Sequence, residues 1–366
     1  IVTNMVDLLP AWKRYLGVVF DKIPHGKVDR DPHVHRFRSL LRNAPLERPA
    51  DVDPRNDLSY ILYTGGTTGF PKGVPGTHIG MTSYVNDVTE DVAGEHLKEG
   101  KDTYIAINPL FHIMALGLFM SIGLNKGNTT VLMPIPQVDA ILESIQRYHV
   151  RWLLGVPALY RMILENDRLD RYDLGSVTYC YCGGDVLPQE VKDRWQKHCG
   201  TPIYQVYGST EVGHVSYSKI GIEPSPRAIG FPLKSRECMI VHPETLEPVS
   251  GEESGELLVT SPYTLKEYYN KPEETQKTYI DLQGKTWCRM GDFVSALPTG
   301  ELIYMERSAD IIKHKAFRVS ASEVEAALQD HPTVIGACVV GIPDPKVGER
   351  IKAIVVLKED AKGVGG

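Results

Sequence analysis

The sequence predicts an α/β protein: a large N-terminal domain of mostly parallel sheet flanked by helices, carrying a β-rich subdomain, followed by a small α+β C-terminal domain. Three observations lead there. Strand-like and helix-like segments alternate from residue 58 to residue 211, the pattern of a parallel sheet covered by helices. From Ile229 to Tyr304 the pattern changes to short strands parted by turns such as Leu297-Pro298-Thr299-Gly300. After Arg307 a small unit of one helix and two strands appears, so the domain boundary is placed at Glu306 to Asp310, giving domains 1–306 and 307–366.

Each element has its local reason. Leu58-Ser59-Tyr60-Ile61-Leu62 is apolar and β-prone and reads as a strand, and Ile79 to Val85 opens a helix. Tyr104 to Ile107 is a strand, His112 to Leu124 a buried helix, and Thr129 to Met133 a strand. Val138 to Tyr148 sets Val138, Ile141, Leu142 and Ile145 on one helical face. Trp152 to Val156 is a strand, and Pro157 suits the first position of the helix that runs to Leu164. Val177 to Cys182 is a strand pointing Cys180 and Cys182 to one face. A helix from Pro188 to His198 and a strand from Ile203 to Val206 complete the alternation. In the C-terminal unit Glu323 to Gln329 reads as a helix, with strands at Val334 to Val340 and Ile351 to Leu357.

Composition excludes several classes. At 366 residues the chain is long enough for a large core and more than one domain. Its formal net charge of −6 and lack of a basic run argue against nucleic acid as a partner. The most apolar stretch, Ile113 to Leu124, is too short to span a bilayer, and no charged-then-apolar leader opens the chain. A cytoplasmic protein is therefore expected, with peripheral membrane contact and homodimerisation left open. The six cysteines show no zinc-like spacing and read as packing thiols.

The densest chemistry lies in Tyr63-Thr64-Gly65-Gly66-Thr67-Thr68-Gly69-Phe70-Pro71-Lys72-Gly73. Its four glycines let backbone approach a ligand at no Cβ penalty, Thr64, Thr67 and Thr68 add short donors, and Lys72 adds a mobile positive charge. Directly after a strand, this describes a phosphate cradle. It is not the ordinary P-loop, since Pro71 precedes the lysine and Gly73 follows it. A second run, Tyr207-Gly208-Ser209-Thr210-Glu211, also follows a strand, where open α/β sheets bind ligands. Glu211 is a hard oxygen donor suited to Mg²⁺ and Thr210 a donor toward phosphate, although Ser-Thr-Glu alone also suits a helix cap. Gly183-Gly184-Asp185 ends a third strand, and an ordinary turn explains it equally well.

Together these segments resemble the adenylate-forming superfamily of acyl-CoA synthetases, beetle luciferases and peptide-synthetase adenylation domains. The resemblance implies that Thr64, Gly65, Gly66, Thr67, Thr68, Gly69 and Lys72 hold the phosphates of ATP. It implies that Gly184 and Asp185 line the adenine and acyl channel, and that Tyr207 beside Gly208 stacks on the base. Asp292, in Arg289-Met290-Gly291-Asp292, would accept the ribose hydroxyls, with Arg307 as the second ribose contact at a hinge. His112 would stand beside the acyl carboxylate. Phe111, Ile113, Met114, Leu116 and Leu118 offer no carboxylate for a substrate amine, which favours an apolar acid. Lys313 and Arg318 fall in the segment that the family swings into the site for thioester formation, Arg318 toward a phosphate of CoA. Ala309 and Ala316 depart from the usual hinge residue and the usual glycine beside the pantetheine path.

The expected activity is thus a two-step acyl-CoA synthetase using ATP, Mg²⁺ and CoA on a fatty or other apolar carboxylic acid. An aryl- or coumarate-type CoA ligase, a carrier-protein-loading enzyme and a non-catalytic nucleotide-binding homologue are the alternatives. Relative to the resembled family the chain is expected to lack its first part and the end of its C-terminal domain. The resemblance also implies an adenylation lysine near that end; Lys358 and Lys362 lie in the wrong context for it, and the native protein is expected to continue.

Overall fold

A computed structural model describes residues 2–3, 10–20, 31–43, 48, 50–64, 71–133, 136–249, 251–307, 311–315, 317–329, 331, 333–344 and 346–357. The chain divides into two compact units, Ile1–Val52 and Asp53–Gly366. The first holds helix α1 (Ala11–Val19), the short helix α2 (Phe37–Leu40) and a parallel bridge between Val2 and Arg36.

The second unit opens with a hairpin of β1 (Leu58–Thr64) and β2 (Lys72–Thr77), paired antiparallel. The glycine-rich run therefore joins two strands, whereas the sequence suggested a strand followed by a helix. Helix α3 (His78–Asn86) starts only after β2, where the Thr77 hydroxyl accepts from the Gly80 N–H at 3.2 Å. A π-helical turn at Asp87–Val92 extends it.

The alternating region forms as expected. β3 (Thr103–Ala106), α4 (Ile113–Leu118), β4 (Thr129–Leu132), α5 (Val138–Tyr148), β5 (Trp152–Gly155), α6 (Pro157–Leu164), β6 (Tyr179–Cys182), α7 (Gln189–Cys199) and β7 (Ile203–Ser209) follow in turn. The strands lie parallel in the order β4-β3-β5-β6-β7. Because side chains alternate across a strand, the sheet has two different faces. Tyr104, Trp152, Leu154, Tyr179, Tyr181 and Val206 pack on one side with α3 and α4. Ile105, Leu153, Cys180, Cys182 and Ile203 pack on the other with α5, α6 and α7. Cys180 and Cys182 thus share a buried face, as their spacing required. Ile141, Leu142 and Ile145 of α5 are fully buried there, each contributing about 1.5–3 kcal/mol. Covering both faces is what makes this sheet's strands apolar throughout.

The β-rich part continues the same sheet. It comprises β8 (Gly213–Tyr217), β9 (Ala228–Pro232), β10 (Glu237–Val241), β11 (Gly255–Thr260), α8 (Pro272–Thr278), β12 (Tyr279–Leu282), β13 (Lys285–Ala296) and β14 (Leu302–Arg307). Antiparallel pairing of β8 to β7 carries the sheet onward in the order β7-β8-β9-β14-β13-β11-β10, with β12 on β13. A separate sheet, β16-β15-β18-β17, follows, formed by β15 (Ile311–His314), β16 (Phe317–Ser320), β17 (Val334–Asp344) and β18 (Gly348–Leu357). Helix α9 (Ala321–Gln329) packs on it through Val324 and Leu328. The first two of these strands were not foreseen. Among the described residues, no helix is long and apolar enough to cross a membrane.

Candidate functional site

Parallel strands end at one edge, so the loops after β3, β6 and β7 gather there. These loops carry His112, Gly184 and Asp185, and Thr210 and Glu211. His112 precedes α4 as an exposed residue, its ring 4.8 Å from that of Phe111. The apolar residues around it divide: Ile113 and Leu118 are buried, while Phe111 is 68 % exposed. After β6, Gly184 takes φ +86°, a left-handed conformation that favours glycine. Asp185 is exposed and accepts from the Val186 N–H at 2.8 Å.

The turn from β7 to β8 is tight. A Cβ on Gly208 would stand 2.1 Å from the Gly213 carbonyl oxygen, so only glycine lets the two strands meet. Ser209 ends a strand here and Thr210 and Glu211 occupy a strand-to-strand turn, which removes the helix-cap reading.

Glu211 has two neighbours from distant parts of the chain. Tyr268 donates its hydroxyl to Glu211 Oε1 at 2.7 Å. The Lys72 Nζ lies over the same tyrosine ring, 4.4 Å from its centroid. Lys72 is the register partner of Thr64, so these two close the glycine-rich run. Gly65, Gly66, Thr67, Thr68 and Gly69 lie outside the described residues. The Tyr269 N–H donates to the Gly73 carbonyl at 2.8 Å and ties the 268–269 segment to β2. Burial, and then the Glu211 carboxylate, push the Cys288 thiol up, with Lys72 opposing. Tyr268 escaped the sequence analysis because nothing local marks it; only the fold brings it to Glu211.

A second cluster forms where β13 and β14 pair, with Asp292 opposite Arg307. Tyr207 donates to Asp292 Oδ2 at 2.6 Å, and Arg307 Nε stands 3.4 Å from Oδ1. Asp292 is only 7 % exposed. Burial, then the adjacent carboxylate, hold the Tyr207 phenol well above its usual pKa, so it stays a donor. Three residues picked from separate motifs are therefore joined by one hydrogen bond and one ion pair.

On the aromatic face of the sheet lies a small apolar cavity. Val88 and Val92 of the first π-helical turn line it, with Leu118, Trp152, His214 and Ile122, the last from a second π-helical turn at Phe119–Asn125 that continues α4 where one regular helix to Leu124 was expected. π-turns of this kind recur at functional sites. His214 is fully buried next to Arg236, and burial lowers its pKa to about 3.

Among the described residues no group of three or more His, Cys, Asp or Glu could hold a metal ion. A single carboxylate beside a lysine instead suits a small hard cation that takes its other ligands from phosphate and water. Glu211 fits that role. Lys313 and Arg318 are backbone partners in the β15–β16 register. Ala309, Ala316, Lys358 and Lys362 lie outside the described residues.

Comparison with known proteins agrees with the motifs. A family model described as AMP-binding enzyme matches residues 15–269, and one described as AMP-binding enzyme C-terminal domain matches residues 323–364. The long-chain-fatty-acid–CoA ligase of Bacillus subtilis (strain 168) is 33 % identical over 368 residues, covering 99 % of this chain and 64 % of the relative. The 4-coumarate–CoA ligase 2 of Petroselinum crispum is 35 % identical over 329 residues, covering 87 % of this chain and 59 % of the relative. The chain thus spans about three fifths of the length of the curated relatives it matches. Among solved structures, ATP-bound MatB from Rhodopseudomonas palustris superposes with a TM-score of 0.77 at 25 % identity, over 84 % of this chain and 59 % of that one. On the match over residues 15–269, joined to the motifs at Thr64 to Gly73 and Tyr207 to Glu211, the chain belongs to the AMP-binding enzyme family.

Proposed function

We propose that the full-length protein is an ATP-dependent, AMP-forming carboxylate–CoA ligase acting on an apolar acid. One observation carries this reading above the others: a lysine and a carboxylate set about one tyrosine at the mouth of the sheet, beside the Tyr207–Asp292–Arg307 group. The first arrangement suits the phosphates of a nucleotide with its cation, and the second suits a vicinal diol held against a carboxylate.

In the first half-reaction a carboxylate oxygen of the substrate attacks the α-phosphorus of ATP. The bond to the bridging oxygen breaks, and pyrophosphate leaves with the electron pair. Such transfers need positioning and charge neutralisation more than covalent help from the protein. Lys72 and Thr64 would hold the departing phosphates, and Thr210 the α-phosphate. Glu211 would hold Mg²⁺, which when bound offsets phosphate charge. Tyr207, Asp292, Arg307, Gly184 and Asp185 would bind the nucleoside, and His112 the acyl carboxylate. In the second half-reaction the CoA sulfur attacks the acyl carbonyl, the C–O bond to AMP breaks, and the thiol proton is released. Lys313 and Arg318 would serve this step after the part from residue 307 onward rotates about residues 308–310. Those three residues lie outside the described set.

The apolar residues beside His112, namely Ile113, Met114, Leu116 and Leu118, with no carboxylate among them, support an apolar tail. An aryl acid is the second reading, in keeping with the coumarate–CoA ligase relative. Pyrophosphate release from MgATP over a panel of aliphatic and aryl acids, with and without CoA, separates the two. Release with aliphatic acids supports the first reading and release with aryl acids only the second. No release with any acid, from protein of native length, sinks both.

A further inference from the structure

We infer that Tyr268 is a positioning residue of this site: its ring keeps Lys72 apart from Glu211 while its hydroxyl fixes the Glu211 carboxylate. The inference rests on the nucleotide reading above. An amine and a carboxylate within reach of each other pair, and a paired couple offers neither charge to a cation–phosphate ligand. Among the described residues no ion pair joins Lys72 to Glu211, although both touch Tyr268. The Lys72 Nζ rests on the ring face at 4.4 Å, where the π-system attracts it without neutralising it. The hydroxyl occupies Glu211 Oε1 at 2.7 Å and leaves Oε2 to face a cation.

Tyr268 is itself held firmly enough for this task. It is 3 % exposed, its N–H donates to Thr275 Oγ1 at 2.9 Å, and its ring packs edge-on to Tyr279 with centroids 5.9 Å apart. The next residue bonds Gly73, the neighbour of Lys72. One short segment therefore sets the strand that carries the lysine and orients the carboxylate.

The test uses the whole chain as wild type, Tyr268→Phe and Tyr268→Leu. Equilibrium binding of ATP is measured across a range of Mg²⁺ concentrations, with thermal unfolding recorded alongside. Tyr268→Phe keeps the spacer and loses the anchor, so the Mg²⁺ needed for half-maximal effect rises about tenfold while Mg²⁺-free ATP binding is unchanged. Tyr268→Leu also lets Lys72 fall onto Glu211, so Mg²⁺-free ATP binding weakens about tenfold as well. Wild-type Mg²⁺ dependence in both variants overturns the inference, whatever their melting temperatures; if Tyr268→Leu does not fold, Tyr268→Phe decides alone. A wild-type chain that binds no ATP removes the nucleotide reading and this inference with it. Wild-type binding with unaltered variants removes the inference only.

Discussion

Acid should destabilise the second unit through His214, and the size of the effect follows from its surroundings. The side chain stacks on Tyr84 with ring centroids 5.1 Å apart, and both ring nitrogens are buried without a protein partner. Burial, with Arg236 beside it, lowers its pKa to about 3. In the unfolded chain it titrates near ~6.5. Because the folded pKa lies below the unfolded one, the unfolded state binds more protons between those values. Stability is then complete above the window and is lost as the pH falls through it. One proton costs about 1.4 kcal/mol per pH unit inside the window. From pH ~7 down to ~4.5 the loss sums to about 2.5 kcal/mol. Urea unfolding of wild type and His214→Phe, at a series of pH values over this range, reads the effect directly. Phenylalanine keeps the stack and removes the titrating nitrogens, so the stability difference should move by about 2–3 kcal/mol in favour of the variant as the pH drops. A difference that stays constant with pH would refute the reasoning.

Three further outcomes are expected. Asp87 and Arg236 form a buried pair at 3.3 Å, with side chains 9 % and 3 % exposed. Asp87→Asn strands the guanidinium and should cost about 3–5 kcal/mol in urea unfolding, and a loss under about 1 kcal/mol would contradict that. Glu211→Gln should slow pyrophosphate release by about 100-fold or more, the scale of a lost charged ligand, and unchanged turnover would remove Glu211 from its role. Gly208→Ala must push the Gly213 carbonyl away from a contact of 2.1 Å. It should cost about 1–3 kcal/mol and impair ATP binding, with normal ATP affinity counting against the tight turn's importance.

The parallel core was legible because its signals are local and periodic. Val138 to Tyr148 shows helical spacing, Pro157 marks a helix start, and alternation in Tyr179 to Cys182 marks a strand with two covered faces. Strand β2 was hidden by its own composition, since Pro75 and Gly76 both argue against a strand. The hairpin tolerates them for specific reasons. Pro75 lies in a two-stranded sheet, and a Cβ on Gly76 would stand 2.1 Å from Tyr60 Cζ, so glycine lets the ring lie where it does. At the site, Lys72, Tyr207, Glu211, Asp292 and Arg307 were each legible as motif members, and the fold unites them in two clusters. Tyr268 and His214 were not. Their contacts cross long stretches of chain, 57 residues in the case of Tyr268 and Glu211, and no local pattern encodes such a pairing.

The central claim is that a carboxylate oxygen becomes bonded to the α-phosphorus of ATP. The most direct test supplies an apolar acid carrying ¹⁸O in its carboxylate to the full-length protein with MgATP and CoA, and follows the label by mass spectrometry. Attack by the carboxylate puts one ¹⁸O into the bridge, and thiol attack then breaks the C–O bond, so AMP should carry one ¹⁸O per turnover. AMP without label, or label in pyrophosphate, would contradict it.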